Sequence, residues 1–204
     1  MLTPLQARAL IHSAAQYILA MSVELERRKL INNQQDISTL PEGTRKRALE
    51  LSAYFTIPEM EPSHVTLALF SAMNFAQKNR QFSSALTFAN NIIENGTNMK
   101  FKENVSSLVM PSNWLQSLTR FSRQARKVKT MCEKNPNDAI EIDFDQFAEF
   151  GVCAASHTPI YPNETSVACP YDGVKYHSKY KDSVCTVCEV CQIGAPASGL
   201  RLTI

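Results

Sequence analysis

The chain has 204 residues, 44% hydrophobic and 20% charged, with 21 Lys and Arg against 19 Asp and Glu for a formal charge of +2. This is ordinary globular composition, which excludes wholesale disorder, and the charge is too small to argue for nucleic acid as a partner. No stretch approaches the roughly 18–20 uninterrupted apolar residues of a membrane span, and Met1-Leu2-Thr3-Pro4-Leu5 lacks the basic start of a signal peptide, so a cytosolic chain is expected, its cysteines reduced or metal-bound.

Thr3 is placed to cap a first helix with Pro4 at its opening position, where a missing N–H costs nothing. Its apolar stripe runs from Leu10 through Ala14, Ile18 and Met21 to Leu25 and fades into Glu26-Arg27-Arg28-Lys29. A second helix is expected after Pro41, through Ala48, Leu51 and Tyr54, with Pro58 as its stop. Pro62 opens a third, and Phe82 begins a fourth that Gly96 ends. Leu69, Phe82, Ala85 and Ala89 resemble a single tetratricopeptide unit, although no repeat recurs at a fixed period. Residues 95–112 read as a loop, and Ser112 or Asn113 caps a fifth helix that ends before Pro136. Its basic run, Arg120 to Lys129, reads as a solvated helix face.

Helical periodicity ceases near residue 138. Short β-prone runs follow at 140–144, 151–153, 159–161, 166–168, 174–176, 184–187 and 200–204, with Asp172-Gly173 as a hairpin turn. The expected fold is α+β: an α-helical region of solenoid-like helix pairs over residues 1–138, packed against a small β-rich, degenerate zinc-ribbon-like domain over 139–204. Phe144, Phe147 and Phe150 are expected to dock that domain on the helices.

The cysteines are the sharpest chemical signal. Cys169-Pro170-Tyr171-Asp172-Gly173 looks like half a zinc knuckle with Asp172 in place of the second cysteine, and Cys185-Thr186-Val187-Cys188 has the spacing of the other half. Cys153, His157 and Cys191 are substitute ligands. The competing reading is a degenerate ribbon whose cysteines serve as small buried hydrophobes. A catalytic pair of Cys153 with His157 or His177 lacks an accompanying glycine elbow, and the isolated glycines form no phosphate loop. No catalytic residue is therefore assigned and no enzyme is expected. The tyrosines at 161, 171, 176 and 180 carry large apolar area with a polar tip, which suits a contact surface.

The order of elements, with Cys132-Glu133-Lys134-Asn135-Pro136-Asn137-Asp138-Ala139, Cys153-Ala154-Ala155-Ser156, Pro159-Ile160-Tyr161, Cys169-Pro170 and Gly199-Leu200-Arg201, resembles the C-terminal domain of the coatomer alpha subunit. Tyr17-Ile18, Ser22-Val23-Glu24, Ala53-Tyr54-Phe55-Thr56 and Phe82 with Ala85, Phe88 and Ala89 extend the resemblance over nearly the whole chain. It implies a fragment of a longer subunit of the COPI vesicle coat, cytoplasmic and peripheral on Golgi membranes and COPI vesicles, serving Golgi-to-ER retrograde transport. It implies epsilon-COP, the coatomer epsilon subunit, as partner, wrapped around a projecting β-hairpin, other coatomer subunits through the full-length chain, and neither nucleic acid nor membrane insertion. The hairpin is expected within 153–180, with its tip at Tyr161-Pro162-Asn163-Glu164-Thr165 and contacts from Ile160, Tyr161, Pro162, Val167, Tyr171, Tyr176 and Tyr180. Asp172, Cys188 and Cys191 lie outside the family pattern, so the resemblance implies no cofactor and no metal; if zinc is present, Cys169, Asp172, Cys185 and Cys188 are its ligands. The alternative function is a zinc-ribbon adaptor for another protein or nucleic acid.

Overall fold

The structure, a computed structural model, describes residues 3–34, 36–97, 114–145 and 148–196. Among the described residues five helices come first: α1 (Pro4–Leu30), α2 (Glu42–Tyr54), α3 (Pro62–Lys78), α4 (Phe82–Thr97) and α5 (Trp114–Lys134). Four short strands follow: β1 (Gly151–Val152), β2 (Pro159–Ile160), β3 (Ser166–Ala168) and β4 (Lys175–His177), then a 3-10 turn at Ser178–Tyr180. The architecture is mixed α+β.

The helix ends follow from local chemistry. Thr3 Oγ1 accepts the Gln6 N–H at 3.3 Å while Gln6 Oε1 accepts the Thr3 N–H at 2.9 Å, a reciprocal box that satisfies two donors at the head of α1. The helix runs through the charged segment to Leu30 because Arg27, Arg28 and Lys29 occupy its last turn, where cations complement the macrodipole. It closes with Asn32 at φ 49°, Asn33 N bonded to Arg28 O and Asn32 N bonded to Lys29 O, a Schellman pattern built on asparagine. Arg80, at φ 58°, ends α3 in the same way, with Gln81 N bonded to Ala76 O.

Two compact units divide the chain. One gathers Met1–Leu25, Ile57–Met60 and Phe147–Ile204; the other holds Glu26–Thr56 and Glu61–Gln146. The change of pattern near residue 138 and this division are different partitions of the same chain.

The helical unit packs α4 between α3 and α5. Ala85, Phe88, Ala89 and Ile92 of α4 meet Leu69, Ala72, Met73 and Ala76 of α3, with Ala125, Val128 and Cys132 of α5 completing the core. The alanines let the helices approach, and Phe70 stacks on Phe121 with ring centroids 4.3 Å apart. Arg120, Arg123, Arg126 and Lys127 of α5 stand in solvent. The run at 140–144 forms no strand. Its backbone is held instead by α2 side chains: Glu50 Oε1 accepts the Asp143 N–H at 3.1 Å, and the Tyr54 hydroxyl donates to the Asp143 carbonyl. Phe144 packs on Phe88 of α4, centroids 5.6 Å apart.

In the other unit, β1 pairs antiparallel with β2 (Gly151 opposite Ile160), and β3 with β4 (Val167 opposite Tyr176). These are separate two-stranded sheets. Strands β2 and β3 do not pair, so Tyr161–Thr165 joins two sheets and is not the tip of a hairpin. The two hairpin turns lie instead at 153–158 and 169–174. The run at 184–187 contributes a single bridge, Val184 to Gln192. Phe150 packs on Tyr161 within this unit, centroids 5.5 Å apart. Of the loop expected at 95–112, residues 95–97 are the end of α4, and the rest lies outside the described residues, as do Phe147 and the strand expected at 200–204.

Candidate functional site

One turn geometry occurs three times in the β-rich unit. Cys153-Ala154-Ala155-Ser156-His157, Cys169-Pro170-Tyr171-Asp172-Gly173 and Cys185-Thr186-Val187-Cys188-Glu189 each close a bond from the fifth N–H to the carbonyl of the leading cysteine, at 2.8, 3.0 and 3.0 Å. The fifth residue is left-handed each time, with φ 52° at His157, 78° at Gly173 and 57° at Glu189. Glycine accepts that region freely, whereas a side chain there costs roughly 1–2 kcal/mol. Two of the three turns carry that cost.

The second and third turns face each other. Cys169 Sγ, an Asp172 carboxylate oxygen, Cys185 Sγ and Cys188 Sγ all lie within 4.8 Å of one another. Cys169 Sγ is 3.7 Å from Cys188 Sγ, and Cys185 Sγ is 3.1 Å from Asp172 Oδ2. These are the four residues that the spacing singled out for zinc. Of the substitutes, Cys153 and His157 stay in the first turn, outside this group, and Cys191 is buried nearby with its carbonyl accepting the Cys185 N–H at 2.8 Å.

The surroundings of the cluster are built from donors. Val187 N and Cys188 N both point at Cys185 Sγ at 3.4 Å, and the Tyr176 hydroxyl lies 3.1 Å from the same sulfur. Val174 N donates to Asp172 Oδ1 at 3.0 Å. The Tyr176 hydroxyl also accepts the Thr186 N–H at 3.1 Å, and the Thr186 hydroxyl donates to Ala154 O at 3.1 Å, tying the third turn to the first. Burial pushes the Cys169 and Cys185 thiols well above the usual thiol range and raises the Tyr176 phenol as well.

On the outer side of the second turn, His12 of α1 sets Nδ1 3.3 Å from the Asp172 carbonyl, which accepts from it, and Nε2 3.5 Å from Glu59 Oε2. A side chain at position 173 would stand 3.4 Å from that imidazole, an ordinary van der Waals contact, so it is the positive φ of 78° that favours glycine here.

The residues expected at a partner surface divide. Ile160 and Tyr176 are core, at 5% and 0% exposure, and contribute no surface. Tyr161, Val167 and Tyr180 are half-buried, and Pro162 and Tyr171 are exposed. The Tyr161 N–H is fixed on Glu164 Oε2 at 2.9 Å. Sequence reasoning did not single out Val184 and Val190, which are 63% and 76% exposed in the same unit. Alternation of apolar residues carries no signal for a side chain in an irregular turn. Among the described residues no helix is long and apolar enough to cross a membrane.

Comparison with known proteins places these observations. The family defined by the C-terminus of the coatomer (COPI) alpha subunit matches residues 5–113 and 114–204. The chain is 37% identical over 198 residues to coatomer subunit alpha of Saccharomyces cerevisiae, 33% over 193 residues to a putative coatomer subunit alpha of Schizosaccharomyces pombe, and 32% over 199 residues to coatomer subunit alpha of Dictyostelium discoideum. Those alignments cover 97%, 95% and 97% of this chain but 14% of each relative, so the chain spans about one seventh of their length. With both helical and β-rich parts matched in one order, the chain belongs to the family of coatomer (COPI) alpha C-terminal domains.

Proposed function

We propose that this chain is a scaffold segment of the COPI coat that binds the coatomer epsilon subunit and so supports Golgi-to-ER retrograde transport on the cytoplasmic face of Golgi membranes. The observation that carries the reading is family membership along nearly the whole chain. The β-rich unit supports it physically. Apolar side chains stand exposed in it at Tyr171, Val184 and Val190. A partner that covers these side chains gains apolar area. The contact surface is drawn on Tyr161, Pro162, Val167, Tyr171 and Tyr180, without the buried Ile160 and Tyr176. Nucleic acid gains no support from a net charge of +2.

The test is gel filtration with mass detection on the chain mixed with purified epsilon subunit. A stable 1:1 complex is expected, and Tyr161→Glu with Val167→Glu should weaken it while far-UV circular dichroism stays unchanged. Two separate peaks at micromolar concentration for the wild-type chain overturn the partner assignment. An intact complex with both substitutions in place overturns only the surface.

A further inference from the structure

We propose that Cys169, Asp172, Cys185 and Cys188 form a structural zinc site that staples the second and third turns of the β-rich unit together. With zinc–sulfur bonds of about 2.3 Å, the edge of a tetrahedron of sulfurs is about 3.8 Å. Cys169 Sγ and Cys188 Sγ are 3.7 Å apart, and all four ligand atoms fit within 4.8 Å. Two turns supply two ligands each, from positions one and four.

Two further observations point to a cation at this place. The Asp172 side chain belongs to a residue only 3% exposed, yet among the described residues no Lys or Arg pairs with it. A buried carboxylate is ordinarily paired or bound to a metal. The donors around the cluster, Val174 N, Val187 N, Cys188 N and the Tyr176 hydroxyl, are arranged to spread the negative charge that three thiolates and a carboxylate retain around a divalent ion. The first turn serves as an internal comparison. It has the same backbone geometry with Ser156 in the fourth position, and its cysteine is outside the cluster. Soft thiolates favour zinc over magnesium or calcium, and the single carboxylate keeps the set compatible with a borderline-soft ion. Binding converts three S–H groups to thiolates and releases three protons for each zinc held.

The chain purified under reducing conditions without chelator is expected to carry about one zinc by mass spectrometry of its metals, and the Cys185→Ser, Cys188→Ser double variant under about a tenth. Cys132→Ala, in the other unit, keeps the full complement. Cys188→Ser alone should weaken zinc at least ~100-fold in competition with a chromogenic chelator. Because turn variants can fail to fold, the wild-type chain supplies independent readouts. Cobalt(II) in place of zinc should give the intense visible absorption of a tetrahedral thiolate site. Chelation should remove amide protection across residues 150–196 while leaving the helical unit protected. Less than about a tenth of an equivalent of zinc after reconstitution in reductant overturns the proposal. So does a metal-free chain in which Cys169 and Cys188 are joined as a disulfide.

Discussion

Removing one oxygen atom, in Tyr176→Phe, separates a core role for this side chain from a role in partner binding. The ring is fully buried, so a phenylalanine fills the same space and leaves no cavity to charge against the result. What disappears is the acceptor of the Thr186 N–H, at 3.1 Å, and the group 3.1 Å from Cys185 Sγ. A buried N–H left without its acceptor costs roughly 1–3 kcal/mol. At about 2 kcal/mol the population of the opened third turn rises roughly 30-fold. Native-state hydrogen exchange reads this directly: protection of the Thr186 amide should fall by that factor, with smaller losses at Val187 and Cys188. Thr186→Ala is the companion variant, since it keeps the backbone N–H and its tyrosine acceptor and loses the bond to Ala154 O together with the 3.2 Å contact between the two hydroxyls. Unchanged protection at Thr186 in Tyr176→Phe, within a factor of about two, would refute the account of this residue as the strut of the third turn. Weakened epsilon-subunit binding with unchanged protection would return Tyr176 to the interface.

Asp138 caps α4 from outside the helix, with Oδ1 on the Ser83 N–H at 2.9 Å and Oδ2 on its hydroxyl, so Asp138→Ala should lower the urea midpoint by the equivalent of about 1 kcal/mol and Asp138→Asn by less. Gly173→Ala places a methyl group 3.4 Å from His12 at φ 78° and should destabilise the β-rich unit by about 1–2 kcal/mol, whereas Glu189→Gly relieves a left-handed residue and should stabilise it; calorimetry that shows equal signs refutes the account of the turns. Burial, with the carboxylates of Asp138 and Glu133, raises the Cys132 thiol above the usual range. Its contribution to stability is therefore complete below the unfolded thiol value of about 8.5 and is lost as pH rises through the higher folded value. Urea midpoints between pH 7 and 10 should decline more steeply for the wild-type chain than for Cys132→Ala.

The helices were legible because their signals are local. Prolines at 4 and 62, the 3.6-residue stripes and the basic last turn of α1 are all short-range, and each of those helices begins where its proline or cap stands. The run at 140–144 has the alternation of a strand but forms none. Glu50 and Tyr54, one helical turn apart on α2, satisfy both sides of the Asp143 peptide, and nothing within 140–144 announces that partner. The same limit applies to Tyr161–Thr165. Its turn residues are genuine, but they join two sheets, since β2 pairs back with β1 and β3 pairs forward with β4. At the cysteine cluster the spacing named the four ligand positions. It could not show that the Cys153 turn shares their backbone geometry, because Ala154, Ala155 and Ser156 contain no ligand pattern to read.

The division of the chain has a consequence for its synthesis. The helical unit is drawn from 26–56 and 61–146, an interior stretch, while the β-rich unit waits for residues on both sides of it. His12 Nδ1 meets the carbonyl of a residue 160 positions later. At roughly 5–20 residues per second, the first 25 residues emerge on the order of ten seconds before their partners exist. During that interval Ala15, Leu19, Ala20 and Val23, buried in the finished structure, stand uncovered beside Leu10, Ile18, Met21 and Leu25, which remain 45–61% exposed even when it is complete. The nascent chain thus has a vulnerable period set by topology and not by stability, and chaperone dependence should concentrate in the N-terminal helix.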